Sequence, residues 1–185
     1  MKADASHVLV DASRRELLQA DGLGHEARAE GGDHAALKLW LRLLATSTQI
    51  EDEIRRRLRK RFGISLPRFD YLAQLYRQPD GLKMKDLSRQ LMVTGGNVTG
   101  LTDELEREGL VERVGSPTDR RSWIVRLTPI GRSGFQAMAA EHEQWVLDLF
   151  AGLDAKAVQQ LHGHLGVLRV HLTQLQQRDA SGDKP

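Results

Sequence analysis

Six apolar residues near the C-terminal end, Val158, Leu161, Leu165, Leu168, Leu172 and Leu175, follow one another at spacings of 3, 4, 3, 4 and 3. That rhythm is the seam of a coiled coil. A helix that carries it needs a second helix along its length. Asp154, just ahead of the seam, is a fitting N-cap for such a helix. The chain already has material for a separate small core in residues 66–128. The seam is therefore read as a contact between two copies of the chain.

The rest of the pattern is also mostly helical. Leu37, Trp40, Leu41 and Leu44 recur at helical spacing, and Ile54, Leu58 and Phe62 continue the stripe. They predict one long helix from about Asp33 to about Lys60, ended by "FGISLP". Pro67 stands where a first helical residue would, and Phe69, Leu72, Ala73, Leu75 and Tyr76 make a second helix. "QPDG" is a turn. A short third helix carries Met84, Leu87 and Leu91, with Lys83 where a Ser or Thr cap is expected. Thr94 caps a fourth helix and Gly109 stops it. "LVERVG" and "SWIVRLT" alternate on either side of "SPTD", which predicts a hairpin. Thr128 and Pro129 then open a fifth helix with Met138, His142, Trp145 and Leu149 on one face.

Composition removes several function classes. The chain has no cysteine, so it carries no disulfide, thiolate metal site or thiol redox sensor. His162 and His164 are two apart and do not share a helix face. His164 and His171 share one, but two turns and about 10 Å separate them. No metal site and no cofactor are expected. No nucleophile motif or phosphate-cradling glycine loop is present, so no enzyme is expected either. No apolar run approaches the roughly 18 residues of a membrane span. Residues 1–32 lack an apolar signal region. The expectation is a cytoplasmic protein. Net charge is only +2 although the pI is about 9.1, so the placement of charge matters more than its sum.

Helix, tight turn, helix and hairpin is a winged helix-turn-helix. The stretch "LKMKDLSRQLMVTGGNVTGLTDELEREGLVERVGSPTDRRSWIVRLTPIG" resembles the MarR family of bacterial transcriptional regulators. Its most specific pieces are "LEREGLVER", "DRRS" and "LTPIG", and the likeness covers about residues 35–175. The resemblance implies a mainly α fold. A winged helix-turn-helix would be joined to long N- and C-terminal dimerisation helices and carry a two-stranded β wing. The expected organisation is a flexible arm over 1–32, a dimerisation helix over 33–62, a DNA-binding lobe over 63–128, C-terminal dimerisation helices over 129–178 and a flexible tail over 179–185. The resemblance also implies a homodimer that binds a palindromic double-stranded DNA operator, as a repressor, and releases it when a small effector binds.

The recognition helix of such a fold is the fourth. Turning Val98, Leu101 and Leu105 inward turns Gly96, Thr99, Gly100 and Asp103 outward, with Asn97 on the flank. Thr94, Gly96, Asn97, Thr99 and Gly100 are the expected DNA contacts on this helix. Glycine here lets the backbone come close to DNA and leaves N-terminal amides free for phosphate. Family members often carry a larger residue, frequently arginine, where Gly100 stands. Base reading then reduces to Asn97 and Thr99 with Thr94, and weight shifts to the wing and to DNA shape. In the wing, Ser116 and Thr118 replace the aspartate and arginine common in the family, while Asp119, Arg120 and Arg121 match. The resemblance implies that one arginine enters the minor groove. Arg121 is favoured for that role, with Asp119 holding its neighbour. The bland alternative is a solvated hairpin tip.

In the family, the effector pocket lies between the dimer helices and the DNA-binding lobe. Trp40, Leu44, Phe69, Tyr71, His142 and Trp145 are the candidates on this chain, and each is equally a core residue type. An aromatic acid or its acyl-CoA thioester is the expected effector. "EDEIRRRLRKRFG" puts six basic residues between Arg55 and Arg61. They read as a solvated helix end, as phosphate contacts to DNA, or as a landing site for a phosphate-bearing effector. A rival from another class is a winged-helix protein-interaction module without DNA binding. The acidic residues Asp103, Glu104, Glu106 and Glu108 on the fourth helix favour it.

Overall fold

A computed structural model of the chain describes residues 35–91, 95–115 and 122–181. The described elements run α1 (Ala35–Phe62), α2 (Leu66–Tyr76), β1 (Leu82–Lys83), α3 (Met84–Leu91), α4 (Gly95–Arg107), β2 (Val111–Gly115), β3 (Trp123–Leu127), α5 (Pro129–Phe150) and α6 (Ala155–Ser181). The arm over 1–32 and the last residues of the tail lie outside the described residues. The chain divides into two compact units, Met1–Arg57 and Leu58–Pro185.

In the first unit the described residues are helical, and Leu37, Leu39, Trp40 and Leu44 are exposed. Part of the basic cluster is satisfied on this helix. Arg55 donates to Glu51 and Asp52, each at 2.9 Å. Arg56 and Arg57 both reach Glu53, at 2.6 Å each. The Arg56 bond, then the Arg57 bond, hold the Glu53 carboxyl down at about 2. Such pairs three and four residues apart contribute a few tenths of a kcal/mol each. Among the three readings of the cluster, these pairs favour the solvated helix.

The second unit is built around the helix-turn-helix. Ser65 enters α2 with extended backbone (φ −83, ψ 155), and Pro67 falls inside its first turn. Phe69, Leu72 and Leu75 are buried from this helix. The sheet order is β1-β3-β2, all antiparallel. The expected two-stranded wing is therefore a three-stranded sheet. The added strand has two residues, Leu82 opposite Val125 and Lys83 opposite Ile124. Gly81 admits it: with φ +86, its missing Cβ would lie 2.5 Å from the Val125 carbonyl oxygen. Because β1 runs straight into α3, Lys83 stands in the strand and no capping residue intervenes.

The later expected boundaries fall close to place. Gly109 takes φ +71 just past α4. The Thr128 hydroxyl accepts the Gly131 N–H at 3.0 Å and donates to the Gly109 carbonyl at 2.7 Å. Gly131 must be glycine, because a Cβ there would overlap the Leu110 carbonyl. "LTPIG" thus docks on the "EGL" that follows α4. Asp154 caps α6, accepting the Ala157 N–H at 2.7 Å. The six seam residues of α6 are each 38% to 50% exposed. Val158, Leu161 and Leu165 join Val146, Leu147 and Phe150 of α5 around an apolar groove of about 350 Å³.

Candidate nucleic-acid interface

On α4, Val98 and Leu105 are buried as expected, but Leu101 is only half-buried. The third fully buried side chain is Thr102, which the sequence reading missed. Its hydroxyl donates to the Val98 carbonyl at 2.6 Å. That leaves its oxygen to accept the Tyr71 hydroxyl, also at 2.6 Å. Back-bonding of this kind lets a threonine enter a core without an orphaned hydroxyl. The available signal was spacing, since Thr102 lies four residues after Val98 and three before Leu105.

Gly96, Asn97, Thr99, Gly100 and Asp103 all lie exposed on the outer side. The Thr99 hydroxyl donates to the Gly95 carbonyl at 3.1 Å, so it would have to turn to read a base. A Cβ on Gly95, Gly96 or Gly100 would meet nothing within 4 Å, and none has the positive φ that favours glycine. Internal packing therefore does not explain these glycines. Thr94 lies outside the described residues.

The far end of α4 is fastened to the unit's other elements. The Arg113 backbone N–H on β2 donates to Glu106 at 3.2 Å, and its guanidinium pairs with both Glu106 and Asp103. Glu108 pairs with Arg68 at the start of α2. Three of the four acidic residues that favoured an interaction module are thus engaged within the chain. On the opposite face of the sheet Arg126 meets Glu112 at 2.7 Å. The wing tip, with Ser116, Thr118, Asp119, Arg120 and Arg121, lies outside the described residues.

Residues 62–122 match the family model described as MarR family. The fold, with its sheet and recognition helix in order, is that of solved MarR regulators. AbsC of Streptomyces coelicolor superposes with a TM-score of 0.66 at 21% identity, over 78% of this chain and 99% of that one. The MepR–DNA complex of S. aureus gives 0.60 at 25% identity, over 72% and 96%. Over residues 62–122 the chain is of the MarR family. Among sequence relatives, the Bacillus subtilis HTH-type transcriptional regulator YdgJ is 32% identical over 51% of this chain and 57% of its own length. The transcriptional activatory protein BadR of Rhodopseudomonas palustris is 42% identical over 32% of this chain. That match spans only 34% of BadR, so in the first relatives the likeness covers a third to just over half of their length.

The MarR effector candidates divide. Trp40 and Leu44 are exposed on the first unit. In the second, Phe69 is buried with its ring 4.9 Å from His142 and 5.3 Å from Phe135. Trp145 lies 6.5 Å from His142 and 6.1 Å from Phe62. Burial pushes His142 below its ordinary value, and Asp70 opposes that in part. Tyr71 does not join its neighbour Phe69 in this cluster. Residues two apart on a helix point to different sides, and Tyr71 is fully buried toward Thr102, with burial pushing its hydroxyl up to about 12. It is a core residue of the helix-turn-helix.

The sequence reading also missed Arg68. It lines a cleft of about 350 Å³ with Phe62, Ile64, Leu110, Gly134 and Met138. Its Nε is buried without a hydrogen-bond partner among the described residues. Leaving such a donor unpaired costs roughly 1–3 kcal/mol. Spacing could have flagged it, since Arg68 stands four residues before the buried Leu72.

Proposed function

We propose that the chain is a ligand-responsive DNA-binding transcriptional regulator that acts as a homodimer on a palindromic operator, as a repressor. The observation that carries this reading is the outer side of α4. Its three glycines have no internal reason to be glycine, and they cluster at the end a recognition helix inserts into the major groove. Asn97, Thr99 and Thr94 supply the polar groups there, and the wing supplies Asp119, Arg120 and Arg121. The exposed seam of α6 supports the dimer. The long α1 joins α5 and α6 as dimerisation helices, with residues 63–128 as the DNA-binding lobe. The MepR structure contains DNA; its likeness to this chain supports the same partner here.

The effector reading rests on the second unit. The Phe69, His142 and Trp145 cluster suits a flat ring, and the Arg68 Nε, left without a partner beside the Glu108 pair, suits the carboxylate of an aromatic acid or a phosphate of its acyl-CoA thioester. The interaction-module rival loses ground because Asp103, Glu106 and Glu108 are already paired.

The test is selection of duplexes from a random library by the full chain, followed by sedimentation of the selected complex. The expected result is an inverted repeat bound by two chains. Retention of no sequence above background at low salt contradicts the reading and favours the rival.

A further inference from the structure

Trp123 is the first residue of β3 and is 56% exposed. Its position in the sheet is set by the register. Val111 pairs with Leu127, Arg113 with Val125 and Gly115 with Trp123. Residues directly paired in an antiparallel sheet share a face. Val111, Val125 and Leu127 are buried on this face, and Arg113 uses it to reach Asp103 and Glu106 of α4. Trp123 therefore stands on the face that holds the recognition helix, about 7 Å beyond the Arg113–Val125 pair toward the wing tip.

The direction along α4 follows from the bonds. The Leu110 N–H reaches the Leu105 carbonyl, and Arg113 reaches Glu106 and then Asp103. β2 thus runs back along the helix toward its N-terminal half. Gly115 and Trp123 continue that path toward the exposed side of Thr99 and Gly100. The sheet does not use the indole. A Cβ on Gly115 would meet nothing within 4 Å, so the ring is not folded over its cross-strand partner. Among the described residues the Trp123 indole has no ring, cation or hydrogen-bond partner.

We infer that Trp123 is a DNA-backbone contact between the recognition helix and the wing, its ring packing on deoxyribose and its indole N–H donating to a phosphate. This rests on the proposed DNA binding and adds a residue to it. An indole has one strong donor and a wide apolar face, which suits a sugar–phosphate edge and carries no base information. It is also neutral, so it releases no counterion on binding. Removing it should weaken affinity without changing the salt slope, unlike removal of a wing arginine.

The experiment labels the full chain with 5-fluorotryptophan. Its three tryptophans give three fluorine resonances, and Trp123 is assigned by its loss in Trp123→Phe. A mixed-sequence 30-base-pair duplex is the probe, with binding followed separately by anisotropy of the labelled duplex. The expected result is that the Trp123 resonance moves and loses its solvent isotope shift in step with binding. Trp123→Ala should bind both selected and scrambled duplexes roughly three- to tenfold more weakly, with an unchanged salt slope and melting temperature. Trp123→Phe should fall between. If the duplex binds while the Trp123 resonance keeps its position and solvent shift, the assignment is overturned and DNA binding stands. If Trp123→Ala binds as wild type does, it is likewise overturned. If anisotropy shows no duplex bound at low salt, the DNA-binding reading falls and this contact with it.

Discussion

Tyr71 and Thr102 form a buried pair of hydroxyls that ties α2 to α4, the second helix of the helix-turn-helix. Thr102→Val removes the acceptor and leaves the Tyr71 hydroxyl orphaned, so it should cost about 1–3 kcal/mol of stability. Adding Tyr71→Phe to that variant should recover part of the loss, and chemical denaturation of the three variants measures the coupling. A double variant with the summed loss of the two singles would mean that the bond carries no coupling. His142 gives a pH-dependent prediction. Burial against Phe69 holds it below its ordinary value, so the unfolded chain takes up the proton first. Stability is then intact well above the ordinary histidine value of about 6.5 and is lost as pH falls through that value toward the folded one. The melting temperature should drop between pH 7.5 and pH 5.5, and His142→Phe should flatten that stretch. An equally steep profile in the variant would place the titrating group elsewhere.

At the scale of the element, α4 trades stability for an open surface. Gly100→Ala adds a methyl that meets nothing in the chain, so it should stabilise the helix by up to about 1 kcal/mol. If the backbone at this point faces DNA closely, the same variant should bind DNA more weakly. Thermal melting and duplex titration together decide it; a variant both more stable and equally tight would show that the glycine serves no contact. Gly131→Ala should behave oppositely and destabilise, because its Cβ would overlap the Leu110 carbonyl. The helices were legible because caps, stops and apolar spacing agree: Gly109, Thr128 and Asp154 each mark an end that the structure keeps. β1 was not, since two residues are too few to show alternation. Tyr71 was misplaced because residue type alone does not say which side of α2 faces the aromatic cluster. Arg68 and Thr102 were missed because their spacing puts them on the apolar stripes of α2 and α4 while their residue types read as surface.

At the scale of the whole molecule, the seam of α6 asks for a partner. Leu165→Glu with Leu168→Glu places two charges in it and should convert the proposed dimer to monomers or aggregates in sedimentation. A double variant that sediments as the wild-type dimer would move the interface elsewhere. DNA binding by a dimer then doubles every contact. Arg121→Ala should lower the salt slope of log K by about 2 per dimer, as one phosphate-like contact per subunit is lost. Asn97→Ala should leave the slope alone. It should cost roughly 1–3 kcal/mol per half-site and relax preference at one base pair. The most direct measurement is an anisotropy titration of wild type and both variants against a selected and a scrambled duplex at several salt concentrations. The account predicts that wild type prefers the selected duplex, that Asn97→Ala loses preference, and that Arg121→Ala loses affinity and slope on both. Equal binding of the two duplexes by wild type, unchanged in either variant, would contradict it.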